Sequence, residues 1–202
     1  MRARTRAPQS TRQRILQTAH REFYRHGFQG GSLNRIIDDA GVTKGALFHH
    51  YDGKQALGFA VVENIVALGI ADRWIKPLSE SIDPVHDIQS IVRGIVKQKH
   101  QGDSLELGCP LNNLAQEMSP LDEGFRRRIE KIYNAWRESV EAAFARGLKA
   151  GRVRRGVAPR RLAAFVVAAM TGIVGTAKNA QSGELMAEAG EALIQYLESL
   201  LP

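Results

Sequence analysis

Cysteine is almost absent from this sequence, with Cys109 alone among 202 residues. A single cysteine cannot form a disulfide within the chain, which excludes the disulfide-stabilised class of small secreted proteins and suits a reducing compartment. The basic start, MRARTRAPQSTRQRIL, has no apolar core and no small-residue cleavage site, so we do not expect a signal peptide. We therefore predict a cytoplasmic protein.

Long uncharged runs are also scarce. The longest one near the C-terminus, residues 162–177, has 16 residues, fewer than the roughly 20 that cross a bilayer. We interpret it as a buried helix of a soluble protein and predict no membrane partner.

No stretch shows the period-2 alternation, bounded by hairpin turns, that predicts strands. Apolar residues recur instead at helical spacing, with Ser, Thr, Pro and Gly where helices begin and end. We predict an all-α fold of about nine helices, over residues 11–27, 32–41, 43–51, 53–75, 84–100, 110–118, 120–150, 159–180 and 183–200. We predict a flexible basic tail over residues 1–9. Three short helices followed by six longer ones predict a small N-terminal domain, residues 10–53, and a larger C-terminal domain, residues 54–202.

Acidic residues are few at the start of the chain. Residues 1–54 carry ten Lys and Arg against four Asp and Glu, whereas residues 55–202 carry eighteen against seventeen. Nearly all of the net charge of +7 therefore lies in the first quarter, which favours a polyanionic partner, with nucleic acid the leading candidate. A solvated basic tail is the alternative. The tail RARTRAPQ either reaches a minor groove or stays disordered.

The second and third predicted helices are separated only by AGVT, the arrangement of a helix-turn-helix. Gly41 makes the turn, Val42 fills the angle between the helices and Thr43 caps the second helix. That helix lies in the major groove in such motifs, with its N-terminal residues at base edges. Thr43 and Lys44 are then nearest to DNA, and Gly45 lets the backbone approach the duplex.

Several polar residues around this helix are candidates for phosphate contacts. His49, His50 and Tyr51 end the helix, Lys54 opens the next one, and Ser32 caps the helix before it. A surface or packing role is the alternative for each histidine. No other His or Cys lies three or four residues from either of them, so we predict neither a metal site nor a cofactor.

At these residues the chain resembles the TetR family of transcriptional regulators, over ILQTAHREFYRHGFQGGSLNRIIDDAGVTKGALFHHYDGKQAL. The resemblance implies a homodimer with two N-terminal DNA-binding heads, a palindromic double-stranded operator, and a repressor that a small-molecule inducer releases. Family members often have an aromatic residue where His49 stands, so its contact, phosphate or base edge, stays open. By position, the resemblance assigns DNA contacts to Ser32, Thr43, Lys44, Gly45, Phe48, His49, His50 and Lys54.

The segment LGCPLNNLAQEMSP draws attention to the single cysteine. Pro110 suits the first helical position, which makes Cys109 the expected N-cap. The positive helix end favours a reactive thiolate there, although a buried, inert cysteine is the alternative. The segment resembles a subgroup of TetR-like regulators with Gly-Cys at this point, some of which respond to electrophiles or unsaturated acids. Lys178 is expected near Cys109 in such a fold.

The C-terminal helices are expected to form a ligand pocket and a dimer interface. Residues 159–180, with Gly172 and Gly175, and residues 183–200 would pair across a two-fold axis as a four-helix bundle. Apolar walls with a few polar groups are typical of ligand sites, although each lining residue could equally be plain core. The candidate lining residues are Asn112, Asn113, Met118, Tyr133, Trp136, Phe165 and Met170.

Two other classes of protein compete with a ligand-responsive repressor. A cysteine-dependent enzyme would need a base within reach of Cys109, and GCPLNN offers neither His nor Asp, so we predict no enzyme. An architectural DNA-binding protein would bind without sequence preference and would have no ligand site.

Overall fold

The computed structural model describes residues 10–99 and 104–202, with Lys99 and Ser104 given by their backbone alone. The basic tail predicted for residues 1–9 lies outside this range. Within these ranges all regular structure is helical and no strand occurs, which confirms the all-α prediction. The helices are α1 (Thr11–Gly30), α2 (Leu33–Ala40), α3 (Lys44–His50), α4 (Lys54–Leu78), α5 (Pro84–Lys99), α6 (Ser104–Leu107), α7 (Pro110–Met118), α8 (Glu123–Lys149), α9 (Pro159–Ala180) and α10 (Gly183–Glu198).

The chain divides into two compact units, which meet in sequence between Ile65 and Val66. This division falls inside α4, within the first of two π-helical segments, Val62–Val66 and Ala71–Ile75. The domain boundary after residue 53 stays a prediction. In the structure, the first turns of α4, which follow that boundary, pack against α1 as part of the first unit.

In the first unit, α1 contacts each of the other three helices. It begins with a capping box, in which the Ser10 hydroxyl accepts from the Gln13 N–H at 3.3 Å and the Gln13 side chain accepts from the Ser10 N–H at 3.4 Å. Gly27 interrupts α1 near its predicted end, and one more turn follows. Burying each large apolar side chain stabilises the unit by roughly 1.5–3 kcal/mol, and this core includes Ile15, Phe23, Ile36, Leu47 and Leu57.

In the second unit, α8 is central and packs against α9, α7, α5 and the later turns of α4. α10 packs against α5 and α9, and the Gln89 side chain joins α5 to α10 by donating to the Ile194 carbonyl at 3.0 Å. The Arg146 guanidinium donates to the carbonyls of Ser81 and Leu78, which holds the end of α4 against α8.

Three details of the helices differ from the prediction. α6 was missed because four residues are too short for helical periodicity to show. α8 begins at Glu123 because Asp122 caps it, accepting from the Phe125 N–H at 2.9 Å. α4 continues to Leu78 through Pro77, which follows a π-helical segment and starts a new turn, where its missing N–H costs little.

Two helices, α4 and α9, are long and apolar enough to cross a membrane by length and composition. The length argument against a membrane span was therefore wrong, because α9 extends beyond its uncharged run to 22 residues. The finding is weak evidence for a span, since a core helix passes the same test. One face of α9 is buried in the second unit through Val166, Met170 and Val174.

Candidate nucleic-acid interface and the Cys109 cluster

The turn between α2 and α3 has the geometry that the sequence predicted. Gly41 ends α2 in the left-handed conformation, with φ +60° and ψ +46°, where glycine carries no Cβ penalty. Its N–H donates to the Asp38 carbonyl, and the Val42 N–H donates to Ile37. Thr43 then caps α3, accepting from the Ala46 N–H at 3.1 Å. Two short helices thus meet at a sharp, capped turn.

α3 keeps one face exposed. Leu47 turns into the core of the unit, whereas Thr43, Lys44, Gly45 and His49 are exposed. Phe48 is 43% exposed, an unusual environment for a large apolar side chain, and the Lys44 ammonium lies 6.0 Å from the centre of its ring. His50 is half-buried, with its ring 5.1 Å from that of His49.

Gly45 has no structural need to be glycine within the unit. A Cβ at this position would meet only the Thr43 hydroxyl, at 3.9 Å, an ordinary contact. Glycine nevertheless weakens a helix by about 1 kcal/mol relative to alanine. The space left open here faces outward from the unit.

A buried carboxylate that the sequence analysis missed holds the start of α2. The Glu22 carboxylate accepts from the Ser32 N–H at 2.8 Å and from Arg35 Nε at 2.7 Å. Burial by itself raises the pKa of Glu22, but these hydrogen bonds and the Arg35 charge outweigh it and lower the pKa. The Ser32 hydroxyl caps α2 through the Arg35 N–H at 3.4 Å. The signal in the sequence was a glutamate at an inward position of α1, three residues after Ala19.

Tyr51 was expected among the phosphate donors, and the structure contradicts this. Its side chain is 6% exposed, and its hydroxyl donates to the Arg12 carbonyl at 3.4 Å, so it fastens the end of α3 to α1. Burial raises the pKa of this hydroxyl, and the Arg12 guanidinium above the ring opposes the rise. The Lys54 ammonium donates to the Gln29 carbonyl at 2.9 Å and keeps further protons for another acceptor.

In the second unit, Cys109 is the N-cap of α7 with Pro110 as its first residue, in accordance with the prediction. It is a free thiol of intermediate burial. Lys178 lies beside it: the Lys178 stem packs over Gly108, where a Cβ would come within 2.7 Å of Lys178 Cδ. The Lys178 ammonium donates to Asn113 Oδ1 at 3.1 Å, and Asn113 Nδ2 donates to the Leu107 carbonyl at 2.7 Å.

Aromatic residues of α8 continue this cluster. The Tyr133 hydroxyl donates to Asn112 Oδ1 at 3.4 Å, and its pKa is raised first by burial and then by the neighbouring Cys109. The Tyr133 ring stacks on Trp136, whose ring centre lies 4.8 Å from that of Trp74. Trp136 is 3% exposed, and its indole N–H has no hydrogen-bond partner in the described part of the chain. The buried Ser139 hydroxyl, one turn further along α8, also has none there.

The candidate pocket residues therefore divide. Asn112, Asn113, Tyr133, Trp136 and Lys178 are linked to one another or to the Cys109 region, and we call these five residues together with Cys109 the Cys109 cluster. Met118 and Met170 are buried core residues.

The structure does not place Phe165 with the other candidate lining residues of the pocket. It is 47% exposed, because α9 turns Val166 and Met170 into the core and Phe165 to the opposite side, against Tyr196. Among the described residues, no group of three or more His, Cys, Asp or Glu could hold a metal ion.

A left-handed glycine turn, an exposed helix behind it and a larger helical unit define a helix-turn-helix DNA-binding regulator. The chain belongs to the TetR family of these transcriptional regulators. Residues 15–61 match the family described as bacterial regulatory proteins, tetR family, and residues 85–193 match the tetracyclin repressor-like, C-terminal domain.

Individual relatives agree with this assignment. The chain is 27% identical over 194 residues to the transcriptional repressor DhaR of Mycobacterium sp. strain GP1, covering 95% of this chain and 92% of DhaR. It is 33% identical over 141 residues to the regulator YxaF of Bacillus subtilis, covering 68% and 70%.

Solved structures share the fold. A TetR transcriptional regulator from Chloroflexus aurantiacus superposes with a TM-score of 0.83 at 24% identity, covering 95% of this chain and 96% of that one. Reduced Escherichia coli NemR superposes with a TM-score of 0.80 at 22% identity, covering 95% and 97%.

Proposed function

We propose that this regulator is a cytoplasmic homodimeric repressor that leaves its operator when a small molecule binds, or when Cys109 is modified. The observation that carries the proposal is α3, an exposed, capped helix that presents Thr43, Lys44 and Gly45 at its N-terminal end. DhaR is named a repressor, which supports repression over activation for this chain.

In the proposed complex each residue on or near α3 has a distinct role. Thr43 and Lys44 contact base edges, and Gly45 admits the DNA backbone. Phe48 contacts apolar groups of the duplex through its exposed ring. Phosphate contacts, which position the helix without reading sequence, come from His49, His50, Lys54 and Ser32.

A homodimer is supported by an exposed apolar face on α9 and α10. Phe165 and Tyr196 are 47% and 42% exposed and contact each other across the two helices. Ala168 and Gly172 extend this face along α9. The N-terminal DNA-binding heads of the two subunits would dock together on a palindromic operator when their recognition helices lie roughly 34–36 Å apart, or a multiple of that distance.

The unpartnered Trp136 N–H supports an inducer site beside α8. An indole N–H only donates, so the inducer would supply an acceptor oxygen, and the stacked rings of Tyr133 and Trp136 would suit a planar group. Cys109 would add to an electrophilic inducer. Binding would tilt α4, which continues from one unit into the other, and change the spacing of the two heads.

The experiment is operator binding by a variant of α3. Duplexes selected from a random pool, or upstream DNA, are titrated with wild type and Lys44→Ala. We expect Lys44→Ala to weaken binding by about 1–3 kcal/mol if Lys44 reads a base, or to reduce the salt dependence if it meets phosphate. Lys97→Ala, an exposed lysine on α5, is the control and should change neither. Failure of wild type to select any sequence would reject the repressor and favour architectural binding.

A further inference from the structure

Two cations of the first unit are held near the end of α1 in chemically different ways. Arg35 Nε donates to a Glu22 carboxylate oxygen at 2.7 Å, and Arg35 Nη2 lies 2.6 Å from the same oxygen. The Lys54 ammonium instead donates to the Gln29 carbonyl at 2.9 Å and lies 5.0 Å from the centre of the Phe28 ring. A carboxylate cancels the charge that it holds, whereas a carbonyl and a ring face orient a cation and leave its charge in place.

The two groups that hold Lys54 belong to the last turn of α1, which follows the kink at Gly27. Gly31 comes directly after this turn and has no room for a side chain, because a Cβ there would come within 2.5 Å of the Phe23 ring. The ring centres of Phe23 and Phe28 are 5.2 Å apart. The turn is therefore packed against the core of the unit, and it holds the two groups at a fixed place beside Lys54.

Lys54 is the first residue of α4, where the helix dipole makes a cation unfavourable. The first turn of α4 contains no acidic residue. Lys54 is half-buried, and within the described ranges of the chain it forms no ion pair. Its positive charge and the positive helix end therefore add to each other, an arrangement that favours a phosphate oxygen.

Arg35 has a different role in the same region. Its charge is neutralised by Glu22, and its Nη2 also donates to the Gly30 carbonyl at 2.9 Å. Arg35 thus ties α2 to the last turn of α1, and it offers little net charge to DNA. Of the two cations, Lys54 is the one that is both fixed and still charged.

We propose that the Phe28 ring and the Gln29 carbonyl are positioning groups that orient the Lys54 ammonium towards a DNA phosphate. A lysine side chain that is already held loses less freedom when it binds. The ammonium has three donors, so it can donate to a phosphate while it keeps its bond to the Gln29 carbonyl. Phe28 contacts no DNA and acts through Lys54 alone. This inference rests on the proposed function and adds the groups that orient one of its phosphate contacts.

The test is a double-mutant cycle on operator affinity, with the duplex that the wild-type chain selects from a random pool. Phe28→Leu should weaken binding at least about threefold, because the Lys54 ammonium loses its support. The same change in a Lys54→Met background should weaken binding by less than about 1.5-fold, because no ammonium is left to orient. Phe28→Tyr keeps the ring face and should bind within about 1.5-fold of wild type. Tyr24→Leu is the matched control, since the Tyr24 ring stacks on His20 of the same helix, and it should leave the affinity unchanged.

A purely structural role for Phe28 predicts other results. Phe28→Leu would then weaken binding by the same factor in both backgrounds, or Phe28→Tyr would bind as weakly as Phe28→Leu, and either result overturns the inference. If Lys54→Met leaves the affinity and its salt dependence unchanged, Lys54 meets no phosphate, and the inference fails while the repressor stands. If the wild-type chain selects no duplex, the proposed function fails and the inference fails with it.

A second measurement uses the wild-type protein and does not depend on the folding of a variant. Protons above the face of an aromatic ring resonate upfield, so the ε-methylene protons of Lys54 should lie upfield of those of Lys97, an exposed lysine on α5. The Lys54 signal is assigned by its absence from the carbon–proton correlation spectrum of Lys54→Met. An unshifted signal would show that the ring does not hold Lys54 and would overturn the inference. Circular dichroism of each variant confirms that it is folded.

Discussion

The two units of this protein differ in how completely their buried polar groups are hydrogen-bonded. In the first unit, the buried Glu22 carboxylate is satisfied by the Ser32 N–H and by Arg35. In the second unit, the buried Trp136 N–H and Ser139 hydroxyl have no hydrogen-bond partner among the described residues. Native proteins leave few such groups unsatisfied, because each costs about 1–3 kcal/mol.

This difference matches the kind of partner that each unit is proposed to bind. DNA is large and stiff, so the first unit can bind it with a preformed surface. In that surface, α3 is held by its caps and by the Tyr51 hydroxyl. A small molecule must be enclosed, so the second unit would contain buried hydrogen-bond donors whose acceptor comes from a bound ligand or water. The comparison can be tested one unit at a time.

The largest effect on stability is expected from Glu22→Gln in the first unit. It removes a charge-assisted hydrogen bond at a buried site, so the free energy of unfolding should fall by about 1.5–3 kcal/mol at neutral pH. Denaturant unfolding measures this loss. Asp38→Asn, the same kind of change at an exposed position of α2, should stay within about 0.5 kcal/mol.

The pH dependence of Glu22→Gln has a definite sign. The folded pKa of Glu22 lies below its ordinary value of 4.5, so its stabilisation is present above that value and is lost as the pH falls through the folded pKa. Wild type and variant should therefore converge in acid. A difference that persists or grows in acid would mean that packing, not charge, accounts for the effect.

The next effect is expected from Gly45→Ala, which separates stability from DNA binding. The alanine should raise the free energy of unfolding by up to about 1 kcal/mol, because nothing in the unit crowds its Cβ. Operator affinity should nevertheless fall, by about tenfold or more, if backbone meets duplex there. Gly94→Ala on α5, where a Cβ would meet nothing within 4 Å, should give the same stabilisation with unchanged affinity. Equal affinity for both variants would remove Gly45 from the interface.

The smallest effect in the resting protein is expected from Cys109→Ser in the second unit. Operator affinity without inducer should change by less than about 0.5 kcal/mol, because the thiol makes no capping hydrogen bond. Release of DNA by iodoacetamide should disappear. Trp136→Phe keeps the thiol and should keep that release, which a fluorescence anisotropy titration would show. If iodoacetamide still releases DNA from Cys109→Ser, modification of Cys109 is not the trigger. A reversibly bound inducer would then be the remaining explanation.

Local signals explain why most helices were predictable. The turn at Gly41, the caps at Ser10, Thr43 and Ser182, and prolines at the starts of α7 and α9 act through neighbouring backbone, so their consequences are readable in sequence. The same signals do not reveal which side of a helix is covered. For that reason Phe165 was assigned to a pocket and Tyr51 to the DNA face.

The Cys109 cluster shows a similar limit. Its members come from α7, α8 and α9, and their residue types alone suggested a polar site within an apolar region. Their pairing depends on contacts across long sequence separations, such as Lys178 with Asn113 and Tyr133 with Asn112. Glu22 was missed for the same reason, because its partners lie on α2.

By itself, the sequence determined the all-α class, the helix-turn-helix and the family, and it predicted the residues of α3 that are proposed to contact DNA. These depend on periodicity, capping and short spacings, which act over a few residues. Only the tertiary structure decided that Tyr51 and Glu22 are internal supports, that Trp136 lacks an acceptor, and that Lys54 is held by a carbonyl and a ring of α1. Burial and partnership are properties of packing, and packing joins residues that are distant in the chain.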